Sequence, residues 1–354
     1  MIGIVSFQFE KNYGALLQCF ALQQALFKFD ESVCHLDYKS FFHVVSPYDF
    51  DASFGGKIRW FICLIKSVLK KFLKKNYSWN SEVHRLFNKI NLSKKNVFVR
   101  SDVLIAGSDQ IWNHNFVWGR EKIYFLGLGT KSAKRISYAA SLGVGHWPRN
   151  FEKKILPYLK RFDAISVREE ASIPYLESLG LKNIVSVCDP TILHDASFYQ
   201  KFFCLSSTQK SEPFVYSIWT DLPDCLNVLL TKNADIVKLH DPNNQMRVEE
   251  WIASIFNASF VVTDSFHCTV FCILFHKSFI VLENHGKGAG MNERFQTLLR
   301  KTELLDQILP MNADKNDALC RLNKFIDWNK VDCIMNEWRM RSLNWLKGCI
   351  DKVN

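Results

Sequence analysis

The sequence predicts an α/β protein made of two successive parallel-sheet halves. Three observations predict it. Short apolar runs alternate with polar loops and helical stretches; the alternation breaks near 195–212 and then restarts; and polar residues gather where apolar runs end. No short repeat and no low-complexity tract competes with this reading.

Ile2–Phe7 reads as a strand, Glu10–Gly14 as a turn and Ala15–Phe29 as a helix, with Leu16, Leu17, Phe20, Leu22, Leu26 and Phe29 forming a wide apolar face. Val33–Leu36 is a second strand. The segment 41–100 reads as an irregular or helical insertion. Asp102–Ala106, Ile136–Ala140 and Ala164–Val167 are further strands, followed by a helix over Glu169–Leu179 and a strand over Ile184–Val187. Beyond the break, strands are expected at Phe214–Trp219, Asp235–Lys238, Phe260–Thr263 and Ser278–Leu282. Helices are expected at Asp224–Lys232, Val248–Asn257, Ser265–Phe275 and Glu293–Lys301. The tail from about 315 is helical and charged. This gives Rossmann-like domains at 1–204 and 205–325, a helical tail at 326–354, and a ligand cleft between the domains.

At 354 residues, 48% hydrophobic and 23% charged, the chain has globular composition and room for about two domains. Its 29 phenylalanines point to thick apolar layers. The N-terminal residues do not read as a secretory signal, and no apolar run has the roughly 18 residues of a membrane span. The 11 cysteines include no C-x-x-C pair, and the closest two are Cys268 and Cys272. They argue against zinc or iron–sulfur sites and read as small buried hydrophobes in a reducing cytosol. The expected localisation is cytoplasmic, with no metal.

The net charge is +10, and much of it lies within 57–75. Lys57, Arg59, Lys66, Lys70, Lys71, Lys74 and Lys75 sit there, with no acid between Asp51 and Glu82. Apolar residues oppose the lysines at helical spacing. Such a helix either packs on the core or lies peripherally on an anionic membrane face. No nucleic-acid-binding signature accompanies the charge.

The chemistry-bearing residues fall at strand ends. Val262-Thr263-Asp264-Ser265-Phe266-His267 takes a buried strand into a helix start, where the helix dipole favours an anion and His267 can move a proton. The bland alternative is a cap and a packed histidine. Gly107-Ser108-Asp109-Gln110 repeats the pattern, with Asp109 as a base or a cap. Asn12 and Gly14 follow the first strand, and Gly14 permits close backbone approach. Arg168 ends the strand Ile165-Ser166-Val167 and suits bidentate anion binding, or a salt bridge to a nearby acid. Arg294 opens a late helix as a weaker candidate. Neither G-x-G-x-x-G nor G-x-x-x-x-G-K-[ST] occurs, so no dinucleotide cofactor is expected.

Together, NYGALLQCFALQQAL (12–26), VLIAGSDQIWN (103–113), ISYAASLG (136–143), ISVREEAS (165–172), CDPTIL (188–193) and VTDSFHCTVF (262–271) resemble the polysaccharide pyruvyl transferase family, in the family's order. The resemblance implies a GT-B-like fold with a C-terminal helix crossing back. It also implies transfer of pyruvate from phosphoenolpyruvate onto two sugar hydroxyls as a ketal, in cell-surface polysaccharide or exopolysaccharide synthesis, without a cofactor. By similarity, Arg168 and Ser265-Phe266-His267 hold the donor, and Asp109 lies near the sugar, with Asn12, Gly14, Ser108 and Gln110 beside them. Some branches carry Arg-Leu-His where this chain has Ser265-Phe266-His267, which leaves Arg294 or Lys287 to replace an arginine. Relatives also place glycine where Cys268 stands. The acceptor is a sugar or a lipid-linked oligosaccharide. The alternatives are a GT-B glycosyltransferase using a nucleotide sugar, for which Glu283 is a ribose-binding candidate, and a non-catalytic membrane-surface assembly protein.

Overall fold

A computed structural model describes residues 1–8, 12–37, 95–96, 101–117, 119–129, 131–207, 212–227, 229–230, 234–239, 241, 246–284 and 292–351. The basic segment 57–75, nearly all of the 41–100 insertion, and Lys287 lie outside them.

The first sheet contains β1 (Ile2–Val5), β2 (Val33–Asp37), β3 (Lys95–Asn96), β4 (Val103–Ala106), β5 (Lys134–Ala140), β6 (Ala164–Val167) and β7 (Val185–Ser186). Its seven strands run in the order β3-β2-β1-β4-β5-β6-β7, with every pairing parallel. Its helices are α1 (Tyr13–Leu26), α2 (His114–Val117), α3 (Glu121–Tyr124), α4 (Arg149–Leu159), α5 (Ser172–Ser178) and α6 (Ala196–Phe203), with a 3₁₀ turn at Pro190–Leu193. The second sheet contains β8 (Phe214–Ser217), β9 (Asp235–Lys238), β10 (Val261–Thr263), β11 (Phe279–Leu282) and β12 (Ile308–Leu309), in the parallel order β12-β11-β10-β8-β9. The helices α7 (Asp224–Asn227), α8 (Val248–Asn257), α9 (Phe266–Leu274), α10 (Glu293–Lys301), α11 (Lys315–Leu322) and α12 (Trp328–Asp351) complete the described chain.

Both strand orders reverse once, between β1 and β4 and between β8 and β10. In doubly wound sheets, ligands bind outside the strand C-termini at that reversal. The strings at Asn12, Gly107 and Asp264 follow β1, β4 and β10 at these reversals, while Arg168 follows β6 and Asp189 follows β7.

Several expectations need correction. Gly14 lies inside α1 and not in a preceding turn, because Asn12 caps the helix by accepting from the Ala15 amide. α1 has more than one apolar face: it is buried nearly all round, Gln18 and Gln23 included, as befits a helix in the middle of a core. The stretch read as a composition break contains α6, whose Phe198 and Phe202 pack on Phe20 of α1. α4 also went unread. Of the cysteines, Cys19, Cys34, Cys188, Cys268 and Cys272 are buried, but Cys204, Cys320 and Cys333 are exposed.

α1 is gripped by two imidazoles. His35 Nε2 lies 3.3 Å from the Cys19 carbonyl and His194 Nε2 lies 2.9 Å from the Ala21 carbonyl. Burial pushes both down from 6.5 to about 4, against the opposing pull of those hydrogen bonds. The unfolded chain therefore takes up these protons first. Stability complete above pH 6.5 is lost as pH falls towards 4, by about 3 kcal/mol for each histidine. Thermal unfolding followed from pH 7 to pH 4 is expected to show this decline, shallower in His35→Gln and His194→Gln variants.

The halves are joined at several points. Tyr13 of α1 stacks on Trp251 of α8 at 5.4 Å, and its hydroxyl donates to the Met246 carbonyl at 2.9 Å. α12, which follows the second sheet, returns to the first. Its Ser342 hydroxyl accepts from the Cys188 amide at 3.0 Å, and Arg339 donates to the Ile192 carbonyl at 2.7 Å.

Candidate functional site

The site is assembled from strand ends of both sheets. Beyond β4, Asp109 adopts φ +69°, a left-handed conformation costly for a side-chain-bearing residue. Its carbonyl accepts from the Ile111 and Ser141 amides, which ties the turn to the end of β5. Its Oδ1 accepts from the Gln110 amide at 2.9 Å and lies 3.9 Å from Arg168 Nη2. Strain held in place this way is typical of functional sites.

Arg168, at the end of β6, is 1% exposed. Its Nε donates to Glu169 at 3.1 Å and its Nη1 to Asp189 at 2.9 Å. The guanidinium lies over the Phe266 ring, 4.5 Å from the centroid. Burial works against its charge, but Glu169, Asp189 and Asp109 outweigh it and raise its pKa above the usual arginine value. Two nitrogens are thus spent on carboxylates, while Nη2 has no hydrogen-bond partner. A buried donor without a partner is costly and marks a place for a ligand or an ordered water.

The second sheet contributes Asp264, Ser265, Phe266 and His267 beyond β10. Asp264 is structural: its carboxylate accepts from the Ile218, Trp219 and Thr220 amides at 2.6, 2.7 and 2.8 Å. Ser265 caps α9, accepting from the Cys268 amide at 3.4 Å. Arg294 of α10 lies 5.8 Å from the same Phe266 centroid. Burial, and next the charge of Arg168, pull Arg294 down to about 10, which leaves it charged at neutral pH. His267 is 4% exposed, with Nε2 at 3.4 Å from Asp189 Oδ2. That is ion-pair distance without hydrogen-bond alignment, so Nε2 has no bonded partner.

Asp189 and Glu169 were not singled out from the sequence. Asp189 accepts from Ser108 Oγ at 3.1 Å, so Ser108 braces the cluster. The only sequence signal for Asp189 was its place in CDPTIL; Glu169 had only its neighbour Arg168. Gln110, next to Asp109, accepts from Asn113 Nδ2 at 2.7 Å through its Oε1. Asn12 acts through its cap of α1. Glu283, beyond β11, accepts from the Thr220 hydroxyl through its carbonyl at 3.4 Å.

Gly14 lies against the histidine. A Cβ at position 14 would stand 2.6 Å from the His267 Cβ and closer still to the ring. Gly14→Ala is therefore expected to swing the imidazole out of place, costing about 1–3 kcal/mol of stability and about 10²-fold in turnover. Turnover and thermal unfolding of the variant check this.

Among the described residues, no group of three His, Cys, Asp or Glu is gathered for a metal, and no helix is long and apolar enough to cross a membrane.

The model of the polysaccharide pyruvyl transferase family matches residues 12–286. Among solved structures, a putative UDP-N-acetylglucosamine 2-epimerase from Listeria monocytogenes is 10% identical, with 100% of this chain and 97% of that chain covered and a TM-score of 0.51. A UDP-GlcNAc 2-epimerase from Neisseria meningitidis is 9% identical over 99% of both chains, with a TM-score of 0.49. A heptosyltransferase from E. coli is 12% identical over 95% of this chain and 99% of that one, with a TM-score of 0.37. The Listeria likeness, with the two parallel sheets, gives the chain the GT-B-like α/β fold. The comparison with curated proteins gave no match.

Proposed function

We infer that this chain, which belongs to the polysaccharide pyruvyl transferase family, moves pyruvate from phosphoenolpyruvate onto two hydroxyls of a sugar and closes a ketal. The observation that carries the reading is the meeting of His267, from the second sheet, with Arg168, Asp189 and Asp109 from the first.

The chemistry assigns roles to these residues. Phosphoenolpyruvate is strongly anionic, so it needs fixed positive charge, here Arg168 Nη2 and Arg294. His267 gives its Nε2 proton to the methylene carbon of the donor, and the adjacent carbon becomes cation-like. Asp109 takes the proton of the first sugar hydroxyl as its oxygen bonds to that carbon. Phosphate then leaves with the electrons of its carbon–oxygen bond. The second hydroxyl closes the ring as its proton passes to His267 Nε2, which restores the acid, and the proton taken by Asp109 leaves with the phosphate. No electron is gained or lost overall. Ser265, the cap of α9, takes the place of the arginine of other branches, and Arg294 over Phe266 supplies the missing charge. The acceptor is a sugar or a lipid-linked oligosaccharide. The lysine-rich segment 57–75 supports placing it at an anionic membrane surface, and binding to anionic vesicles at low salt tests that extension.

The test of the reaction is thermal shift with phosphoenolpyruvate and, separately, with nucleotide sugars. Phosphoenolpyruvate is expected to raise the unfolding temperature and to release phosphate when acceptor is added. Stabilisation by a nucleotide sugar alone would move the reading to glycosyl transfer.

A further inference from the structure

A cavity of about 340 Å³ lies where the loop after β6 meets α10. That is at the small end of ligand sites, which span about 300–1,000 Å³. One wall is Glu170 and Ala171, which follow Arg168 and Glu169 directly. The other is Glu293, Thr297, Arg300 and Lys301, a face of α10 that starts just before Arg294. Each wall therefore continues from an arginine that lies over the Phe266 ring. Lys301 ties the walls together: its Nζ is 2.8 Å from Glu170 Oε1, and it lies 5.1 Å from the ring centroid of Trp338 in α12. Among the described residues, Glu293 and Arg300 enter no ion pair. Two carboxylates and two cations line the cavity, so its charges balance.

We propose that this cavity is a sugar subsite, which seats a neutral, hydroxyl-rich ring of the acceptor next to the bound donor. Its role as the acceptor's seat rests on the pyruvyl-transfer reading above; its affinity for a sugar does not. A polyanion would meet Glu170 and Glu293, and an apolar ligand would strip water from four charged groups. A ring of hydroxyls suits both signs. It donates to the Glu293 carboxylate and accepts from the Arg300 guanidinium, and such charge-assisted bonds are about twice as strong as neutral ones. Thr297, 7% exposed, adds a hydroxyl on the same face. The position also serves the reaction. The attacking hydroxyl has to lie within bonding reach of a carbon that Arg168 and Arg294 hold through the donor's anionic groups, and the cavity walls grow out of those two arginines.

The experiment is saturation-transfer-difference NMR of the full chain with the methyl pyranosides of glucose, galactose, mannose and N-acetylglucosamine, with and without phosphoenolpyruvate. At least one glycoside is expected to receive saturation from wild type. Ala171→Trp fills the cavity from an exposed position and should abolish that transfer, while the thermal shift caused by phosphoenolpyruvate stays. Glu293→Gln removes a charged acceptor and should weaken the same glycoside about 10-fold. No transfer to any of the glycosides in wild type, or undiminished transfer in Ala171→Trp, would overturn the proposal. Should Ala171→Trp fail to fold, Glu293→Gln decides, since Glu293 is exposed and an unchanged affinity there overturns the subsite. Glycoside binding without phosphate release from phosphoenolpyruvate would count against pyruvyl transfer and leave the subsite standing.

Discussion

His267→Ala is expected to lower turnover by about 10²–10⁴-fold, the range for loss of a general acid. The ring sits at the start of α9, beside Gly14 and 3.4 Å from Asp189, and no other imidazole reaches Asp189 among the described ion pairs. The variant should remain folded, because Asp189 keeps its bonds to Arg168, Ser108 and Thr191. Phosphate release at saturating phosphoenolpyruvate measures the effect. Turnover within a few-fold of wild type would remove His267 from the proton transfer.

Arg168→Ala is expected to do two things at once. Donor binding should vanish in a calorimetric titration with phosphoenolpyruvate. Stability should fall by about 3–5 kcal/mol, because two buried carboxylates lose their cation. Asp189 is 0% exposed and Glu169 3%. In wild type the Asp189 carboxyl lies below its unfolded value, so its contribution is complete above the unfolded pKa and lost only as pH falls through the folded one. Without Arg168, Asp189 keeps His267 and Thr191 but loses part of what holds it ionised against burial. Unfolding temperatures of both proteins at pH 7 check the deficit, and an unchanged stability would refute the account. Arg168→Lys keeps a charge but not the fork, so it should retain more stability than binding.

Most strands were legible because each is a short apolar run, but β3 (Lys95–Asn96) and β12 (Ile308–Leu309), two residues each, were not; β3 is polar and lies in the stretch read as an irregular or helical insertion. The polar strings at β4, β6 and β10 were legible for the same reason: a buried strand has to stop somewhere, and polar residues stop it. What the linear text could not show was which polar residues face one another. Asp189 and Arg168 are 21 positions apart and Asp189 and Ser108 are 81 apart. Only the crossovers of a parallel sheet bring them together. Gln110 looked equivalent to its neighbour Asp109, yet the left-handed turn at Asp109 sends the next side chain to Asn113. α6 was hidden because its phenylalanines pack on α1, not on a strand, and tertiary contact decided where propensity did not.

The return of α12 has a consequence for synthesis. The Cys188 amide finds its acceptor in Ser342, 154 residues later. At roughly 5–20 residues per second, that partner leaves the ribosome about 8–30 s after Cys188 does. For that interval α1 covers one side of Pro190–Leu193 while the side that α12 covers lies bare, although Ile192 and Leu193 are fully enclosed in the finished molecule. The nascent first half then carries an apolar edge that is closed only when α12 arrives.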